Sequence, residues 1–321
     1  MRAAAILGPN ANHRDLRPFQ LPGLALVTAA DLPVAPPLSL PGEPALSEVE
    51  GERQGGDFLD LLHDRGFDAA LIFGGDGSVH RQLAGAVASQ VPILCVPAGS
   101  GNDFARALGL ATFQDALTAW RKFCASAGNV RSIDLAEITS RTGAHNPQLA
   151  TQNSFYCCVA GAGLDSEVNR RANRLPSWLR GHGGYVLSLA PALAGFKAPQ
   201  IGVELFDSDG PTHIMEPAML VAFANAPSYG HGMRIAPRAR LDDGKLDVCF
   251  VRRTPKLRLL RLFPIVFSGG HLHMKEVVYA QCSGLKIESD PPLDIFGDGE
   301  YIGRTPAEVR VRPRALRVIV P

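Results

Sequence analysis

Two glycine-rich segments carry the residue types and spacing that favour chemistry on phosphate groups. Residues 74–78 read GGDGS after the apolar run 69–73, and residues 97–102 read PAGSGN after the apolar run 91–96. Glycine lets backbone N–H groups approach a phosphate closely, and a following helix N-terminus adds partial positive charge. Side by side, the loops predict a nucleotide site at the carboxyl ends of parallel strands. A tight strand–helix turn is the alternative for the first loop alone.

Two polar residues of the first loop have separate expectations. Ser78 is placed to cap the helix that follows. Asp76 would repel a phosphate at short range, so its carboxylate indicates either Mg²⁺ or a structural hydrogen bond.

The pattern around these loops predicts an α/β domain followed by a β-sandwich. Apolar runs at 3–7, 24–28, 69–73 and 91–96 alternate with helical patterns near 57–65, 78–89, 102–109 and 113–126, which is typical of a buried parallel sheet. Residues 29–56 interrupt this pattern as an irregular proline-rich loop. From 131 onward, short strand-like runs such as 154–160 and 308–320 recur between turn residues, with helical patterns near 165–179, 184–196 and 255–267.

The expected domains are therefore residues 1–130, which bind the nucleotide, and the β-rich residues 131–321. A return of the last strands to the first domain stays open. The formal net charge of +1 gives no global field for nucleic acid, and no apolar run approaches the ~18–20 residues of a membrane span. Six cysteines without a CxxC pair indicate reduced thiols and a cytoplasmic protein. Cys157 and Cys158 are expected within one strand, on opposite faces.

The second loop extends to residue 106 as PAGSGNDFAR, and together with the first it resembles the diacylglycerol kinase catalytic-domain family. That family includes bacterial soluble lipid kinases, sphingosine kinases and ceramide kinases. Further matches follow in the family's order at 132–135 (SIDL), 160–165 (AGAGLD), 225–230 (NAPSYG), 241–247 (LDDGKLD) and 296–300 (FGDGE). The resemblance covers roughly residues 70–321 and implies an NAD-kinase- and phosphofructokinase-like first domain and an ATP- and Mg²⁺-dependent lipid kinase. Its acceptor would be the hydroxyl of diacylglycerol or a related lipid, and its product a phospholipid such as phosphatidic acid.

The resemblance also implies residue roles. Asp298 would be the general base that takes the proton of the lipid hydroxyl, supported by Glu300, because a carboxylate on an accessible, glycine-flanked turn can reach an alcohol. A plain hairpin turn is the equal alternative for Asp298-Gly299. The residues that would contact ATP are Gly74, Gly75, Asp76, Gly77, Ser78, Val79, His80, Ser100 and Asn102.

Two magnesium sites follow from the same resemblance. Asp76, Asp103 and Asp134 resemble a set that holds the nucleotide's Mg²⁺ through water, although the helix dipole alone would favour Asp103 at a first turn. A structural Mg²⁺ would be bound at the positions of Arg240, Asp243 and Lys245, through the Asp243 side chain and backbone carbonyls. A plain turn is the alternative there.

Three departures from the family pattern concern the nucleotide. Residues 8–12 read GPNAN instead of the usual Asn-Pro-x-Ser-Gly stretch, and the proline-rich segment replaces a stretch where relatives often carry a threonine for ATP. His80-Arg81 replaces an Asn-Glu pair. A cation in the first turn of a helix is unfavourable unless a phosphate lies nearby, so we hypothesise that Arg81 binds the nucleotide phosphates.

Residues 256–267 (KLRLLRLFPIVF) mix basic and bulky apolar side chains. Such a helix suits either an anionic membrane surface or ordinary packing on the sandwich. The expected partner is a lipid substrate at the membrane surface, with peripheral association and no nucleic acid; an exposed sheet edge would also allow a homodimer. Alternatives to diacylglycerol phosphorylation are a sphingosine- or ceramide-type kinase, another GGDG kinase such as an NAD kinase or 6-phosphofructokinase, and a non-catalytic lipid- or nucleotide-binding homologue.

Overall fold

The structure is a computed structural model, and it describes residues 1–8, 11, 13–22, 25–28, 66–141, 151–174 and 184–321. The proline-rich segment 29–56, the helical pattern 57–65 and residues 9, 10 and 12 lie outside the described residues. The described strands are β1 (Arg2–Leu7), β2 (Ala25–Thr28), β3 (Ala69–Gly74), β4 (Ile93–Pro97), β5 (Val130–Arg141), β6 (Thr151–Tyr156), β7 (Val159–Gly163), β8 (Gln200–Phe206), β9 (His213–Ala224), β10 (Leu246–Arg252), β11 (Val277–Cys282), β12 (Gly284–Asp290), β13 (Asp294–Gly297), β14 (Glu300–Arg304) and β15 (Ala307–Ile319).

The N-terminal strands form the parallel sheet that the apolar runs predict. Their order is β2-β1-β3-β4, and every neighbouring pair is parallel. The strands are short and almost wholly apolar, since helices or loops cover both faces of such a sheet. Both glycine loops begin where β3 and β4 end, so the parallel arrangement brings the loops to one edge.

The remaining strands form the antiparallel sandwich. One layer runs β14-β13-β7-β9-β10-β11, and β8, β12, β15, β5 and β6 form the other, with β9 pairing into both. A second core, which includes Val203, Phe223 and Phe250, fills the space between these layers. The last strand, β15, pairs antiparallel with β5 and then reaches β4, where Val318 lies beside Ile93 in parallel register.

The described α-helices are α1 (His13–Leu16), α2 (Asp76–His80), α3 (Leu83–Ser89), α4 (Asp103–Ala107), α5 (Phe113–Ser126), α6 (Leu164–Ala172), α7 (Gly184–Gly195) and α8 (Lys256–Leu262). Helix α5 begins with a capping box in which the Thr112 hydroxyl accepts from the Asp115 N–H while the Asp115 carboxylate accepts from the Thr112 N–H. It buries Trp120, whose indole N–H donates to the carbonyl of Phe19 at 2.9 Å. Helix α5 thereby packs against the segment 17–19 and against β4.

Two expected elements are divided. The pattern at 78–89 becomes α2 and α3, because the chain turns at Arg81 and Gln82. The run 154–160 becomes β6 and β7, separated by a bend at Cys157 and Cys158, so the expectation that both cysteines lie within one strand is wrong. The N–H groups exposed by this bend form part of the site described below. Within the described residues, no helix is both long and apolar enough to span a bilayer.

Candidate active site

The two glycine loops are in direct backbone contact. A Cβ placed on Gly99 would lie 2.6 Å from the backbone nitrogen of Gly75 and closer still to its Cα. Real side chains essentially never come that close, so the approach requires glycine. Asn102, at φ +118°, closes the second loop: its Oδ1 accepts from the Gly99 N–H at 3.1 Å and its Nδ2 donates to the Gly99 carbonyl at 2.8 Å. Ser100 lies exposed on this loop.

Asp76 joins the two loops as the cap of α4. Its carboxylate accepts from the N–H groups of Asn102, Asp103 and Phe104, each at 3.0 Å. Burial raises the pKa of Asp76 to about 6, against the lowering effect of the Phe104 and Asp103 N–H groups. The N-terminus of α4 is therefore occupied by a side chain. Asp76 has the structural role left open by the sequence, and the nucleotide contacts expected of Ser100 and Asn102 stay predictions.

The first loop retains backbone donors. Helix α2 begins at Asp76 after an extended Gly75, and the N–H groups of Ser78 and Val79 return to the Gly75 carbonyl. The N–H groups of Asp76 and Gly77 donate to no other described residue, as expected for the first turn of a helix. The glycine backbone and these two donors fit a nucleotide phosphate.

Ser78 does not cap this helix. It is the third helical residue, and its buried hydroxyl packs so tightly against the backbone that a Cβ on Gly8 would lie 2.6 Å from it. The expectation was wrong because the helix begins two residues earlier than the sequence pattern suggested. Ser78 instead fills the space beneath Gly8 and Gly74.

Asp298 occupies a tight hairpin between β13 and β14 and faces the first loop. Both residues of its turn have positive φ, +52° at Asp298 and +89° at Gly299, so the hairpin reading of this motif is also correct. Its Oδ1 accepts from the N–H groups of Cys158 (2.8 Å) and Val159 (3.3 Å). Its Oδ2 accepts from the Cys157 N–H (2.8 Å), the Cys157 thiol (3.3 Å) and Nδ1 of His80 (3.2 Å).

This carboxylate is fully buried, so the expectation of an accessible acid is wrong. None of the Asp298 side chain is exposed, whereas 13% of the His80 side chain is. Burial would raise the pKa of Asp298, but the hydrogen bond and charge of His80 and the backbone donors of Cys157 and Cys158 outweigh it and lower the pKa below its usual range. The group is therefore an anion held in place by a complete set of donors.

His80 and Arg81 lie at the C-terminal end of α2, where a cation is favoured by the helix dipole. The premise that Arg81 sits in an unfavourable first turn is thus wrong. Its guanidinium lies 3.6 Å from the Glu300 carboxylate, with both side chains about half exposed. Two contacts, His80–Asp298 and Arg81–Glu300, therefore tie the first loop to the hairpin. Val79 is buried beneath them.

Asp76 and Asp103, which are expected near the nucleotide's magnesium, are neighbours, because the Asp76 carboxylate accepts from the Asp103 N–H at 3.0 Å. The Asp103 carboxylate accepts from Arg106, from the Ser228 hydroxyl and from the His231 N–H. Asp134 accepts from the N–H groups of Gly244 and Arg314, which places it with the 241–247 turn rather than with Asp76. Among the described residues, the only compact trio of metal-ligand types is Cys157, Cys158 and Asp298.

Backbone and side-chain donors engage these carboxylates, and their expected contact with the nucleotide's Mg²⁺ through water stays a prediction. Any Mg²⁺ at this site would be held by the nucleotide phosphates and water rather than by a preformed carboxylate cage.

At the second proposed metal position, the Asp243 carboxylate accepts from the Lys245 N–H at 3.1 Å, within a turn completed by Gly244 at φ +71°. Burial raises the pKa of Asp243 and the nearby Asp134 charge raises it further, against the lowering effect of the Lys245 N–H. Arg240 extends toward Asp242, with 3.5 Å between the charged atoms. The structural Mg²⁺ expected at Arg240, Asp243 and Lys245 stays a prediction.

Several groups that form the candidate site could not be identified from the sequence. The backbone N–H groups of residues 157–159 have no residue-type signal, because any residue supplies them. Tyr229 and Asp165 lie in quoted motifs without an assigned role, and the Tyr229 hydroxyl donates to Asp165 at 2.8 Å. Behind them lies an apolar pocket whose lining includes Leu164, Leu193, Met233, Leu259 and Phe263.

Two hydrogen bonds link the elements beside this pocket to α4 and to the hairpin. Ser228, beside Tyr229, donates to Asp103 on α4 at 3.2 Å. On the other side, the Asn173 amide beyond α6 donates to the Gly299 carbonyl of the hairpin at 2.9 Å.

Two protein-family models and several known proteins match this chain. Residues 34–138 match the diacylglycerol kinase catalytic domain, and residues 158–320 match the YegS C-terminal NAD kinase beta sandwich-like domain. A diacylglycerol kinase of Mycobacterium tuberculosis is 33% identical over 273 residues, covering 83% of each chain. A probable lipid kinase YegS-like of Pseudomonas aeruginosa is 27% identical, covering 80% of this chain and 78% of its own.

A solved structure of a putative diacylglycerol kinase from Bacillus anthracis superposes with a TM-score of 0.68 over all of this chain and 97% of that one. At 19% identity it shows the shared fold. The predicted fold class, an α/β nucleotide-binding domain with a C-terminal β-sandwich, is confirmed, and membership of this kinase family implies the use of ATP. With matches across both domains and a relative of this identity, the chain belongs to the diacylglycerol kinase catalytic-domain family and is a lipid kinase.

Proposed function

We propose that this lipid kinase transfers the γ-phosphoryl group of ATP to the free hydroxyl of diacylglycerol, giving phosphatidic acid. The observation that carries the proposal is the junction of the first glycine loop with the Asp298 hairpin. His80 and Asp298 are 218 positions apart in sequence, yet their side chains lie 3.2 Å apart. With this contact, the backbone that we propose for phosphate binding would lie beside a buried anion that would support removal of the proton.

The nucleotide end of the site is formed by backbone. The open N–H groups of Asp76 and Gly77 and the close glycine loops would hold the phosphates, with Ser100 and Asn102 on the facing loop. Magnesium bound with ATP would neutralise charge on the phosphates. Arg81, half exposed beside Glu300, is placed to meet phosphate oxygens at the loop's end. Phosphoryl transfer depends mainly on such positioning and charge.

The acceptor end suits a lipid. The apolar pocket lined in part by Tyr229 and Asp165 would take up hydrocarbon. Ser228, next to Tyr229, and Asn173, at the end of α6, contact α4 and the hairpin. An acyl chain gains about 0.8 kcal/mol for each methylene removed from water. Burial of chains would therefore supply most of the affinity and leave the hydroxyl to be positioned by polar groups.

A membrane-resident substrate requires peripheral association, and residues 256–267, called here the docking segment, support it. Four of the seven large hydrophobic side chains that are exposed in the described chain belong to this segment: Leu257 (72%), Leu260 (44%), Ile265 (36%) and Phe267 (42%). Lys256, Arg258 and Arg261 accompany them, with no acidic residue in the segment. Leu259, Leu260, Phe263 and Val266 also line the pocket, so the docked face would adjoin the lipid route.

The test is incubation of the purified protein with radiolabelled ATP, Mg²⁺ and vesicles carrying one candidate lipid at a time. The panel contains diacylglycerol, sphingosine, ceramide and monoacylglycerol. The proposal predicts label in phosphatidic acid, with weaker label elsewhere. Preferential labelling of sphingosine or ceramide would contradict the assigned acceptor, and the absence of any labelled lipid would contradict the proposed function itself.

A further inference from the structure

A second cavity shares two helices with the apolar pocket. On α6, Leu164 lines the apolar pocket and Arg170 lines this cavity; on α7, Leu193 and Ala192 divide in the same way. The hairpin strands β13 and β14 also contribute to its wall. The cavity measures about 370 Å³, which is within the size range of sites for small ligands.

The charge of this cavity, called here the basic cavity, is its distinguishing feature. Four cationic side chains and two carboxylates line it: Arg170, Arg171, Lys197, Arg304, Glu167 and Asp294. Burial would raise the pKa of Glu167, but the hydrogen bonds and charges of Arg170 and Arg171 outweigh it and lower the pKa below its usual range. Two positive charges therefore remain in excess in a concave wall, which favours an anion.

The cations of the basic cavity keep hydrogen-bond donors for a further anion. Glu167 accepts from Arg170 and, at 2.7 Å, from Nε of Arg171. Because a guanidinium has five N–H donors, each of these arginines retains donors beyond the contact with Glu167. Lys197 is exposed and makes no ion pair within the described residues. The cavity can therefore bind an anion without breaking its own ion pairs.

The basic cavity adjoins the docking segment. Lys256, the first residue of that segment, donates from Nζ to the Ala194 carbonyl on α7 at 2.7 Å, and the next residues along the chain, 195–197, line the cavity. Phe196 and Leu293 give the cavity an apolar wall beside its charges. A bilayer in contact with the docking segment would therefore bring lipid headgroups, with the hydrocarbon attached to them, next to the cavity.

We propose that the basic cavity binds the phosphate group of an anionic membrane lipid, which is a second lipid and not the one that is phosphorylated. The inference rests on the proposed function and names a further partner for it. The planar guanidinium groups suit the paired oxygens of a phosphate, and the Lys197 ammonium adds a point charge. Occupancy would hold α6 and the hairpin at the bilayer surface, so anionic lipid should raise the rate on vesicle-borne diacylglycerol.

The binding test uses dihexanoyl phosphatidylglycerol as dissolved monomers, with a non-hydrolysable ATP analogue filling the nucleotide site. The double variant Arg171→Gln, Lys197→Gln removes two positive charges from the cavity, and the matched control Arg121→Gln, Lys122→Gln removes two from exposed positions of α5. We expect calorimetry to show affinity lowered about tenfold or more in the cavity variant and nearly unchanged in the control.

Three results would overturn the inference: a wild type that does not bind the lipid, equal affinity in the cavity variant and the wild type, or equal losses in the two double variants. Inorganic phosphate is titrated in parallel. If it binds as tightly as the lipid does, the cavity takes free phosphate and the assignment to a membrane lipid is overturned.

A second measurement follows activity on diacylglycerol in phosphatidylcholine vesicles that carry increasing phosphatidylglycerol. The wild type and the α5 control should be stimulated. The cavity variant should lose most of this stimulation and keep its activity on a short-chain, water-soluble diacylglycerol; stimulation equal to that of the wild type would overturn the inference. A wild type that labels no lipid contradicts the proposed function, whereas an active enzyme whose cavity variant binds and responds like the wild type contradicts this inference alone.

Discussion

At the scale of single residues, Asp298 links the stability of the fold to the chemistry of the site. The fold lowers the pKa of this carboxyl below its ordinary value of 3.8, so the unfolded chain binds the proton more readily than the native state. The resulting stabilisation is present above that ordinary value and is lost as the pH falls through the lower native value.

Asp298→Asn should therefore lower the free energy of unfolding near neutral pH by about 1–3 kcal/mol, because it leaves buried donors without a full acceptor. The difference from the wild type should shrink as the buffer is acidified below the ordinary carboxyl pKa. Urea denaturation at a series of pH values measures it. A difference that stays constant or widens in acid would show that the native carboxyl is not held as an anion.

Gly99 is a second residue on which the site depends. A methyl group there would meet the backbone of Gly75, and relief of such a clash requires the two loops to separate. Gly99→Ala should cost about 1–3 kcal/mol of stability and weaken binding of a non-hydrolysable ATP analogue, measured by calorimetry.

Gly195→Ala is the matched control, since nothing lies within 4 Å of its added methyl group. It should leave both quantities nearly unchanged. Nucleotide affinity retained in Gly99→Ala would mean that close contact of the loops is not needed for binding.

The sequence could predict which residues matter at this scale better than it could predict their contacts. The glycine loops and Asp298 are readable from their types and spacing. The pairing of Asp298 with His80, and its bonds to the N–H groups of Cys157 and Cys158, depend on how β7 and β13 pack. Backbone donors carry no residue signature, so burial of the expected base could not be anticipated.

At the scale of elements, the docking segment holds most of the large hydrophobic side chains that are exposed in the described residues. Its exposed leucines and phenylalanine accompany three basic residues and adjoin the apolar pocket. Such a face gains apolar burial and attraction to anionic lipid together.

Leu257→Asp and Phe267→Asp should each reduce co-sedimentation with phosphatidylglycerol vesicles and reduce activity on vesicle-borne diacylglycerol, while activity on a short-chain, water-soluble diacylglycerol changes little. Met215→Asp, at a 40% exposed position on β9, serves as the control. Equal vesicle binding by all three variants would assign the segment to packing rather than docking.

Element prediction succeeded where the periodicity was strong and a side-chain cap marks the boundary, and it failed where the backbone turns without such a signal. Helix α5 matches its pattern at both ends, since its capping box is visible in the sequence. Helix α2 begins earlier than expected, because Gly75 rather than Ser78 precedes its first turn. The bend at Cys157 and Cys158 divides an apolar run that periodicity alone predicts to be one strand.

At the scale of the whole molecule, β15 joins the sandwich to the parallel sheet. Its first half pairs with β12 and β5, and its end reaches β4, where Leu316, Val318 and Ile319 are fully buried. The order of strands along a chain does not reveal such a return, because it depends on long-range pairing. The sequence therefore left it open.

Ile319→Ala should lower the free energy of unfolding by about 2–4 kcal/mol through loss of buried volume. It should also weaken nucleotide binding, since β4 carries the second glycine loop. Val320→Ala, at the neighbouring and only partly buried position, should have a smaller effect. Chemical denaturation with a bound-nucleotide control measures both; equal losses at the two positions would contradict the packing described for this strand.

The central claim is that the two glycine loops and the Asp298 hairpin form one site for phosphoryl transfer to a lipid. The most direct measurement is transfer of label from ATP to diacylglycerol by the wild type and by Asp298→Asn, with affinity for an ATP analogue measured alongside. We expect the wild type to give labelled phosphatidic acid. We expect Asp298→Asn to lose about 100-fold or more in kcat and to retain its affinity for the nucleotide. A variant that transfers phosphate as fast as the wild type would contradict it.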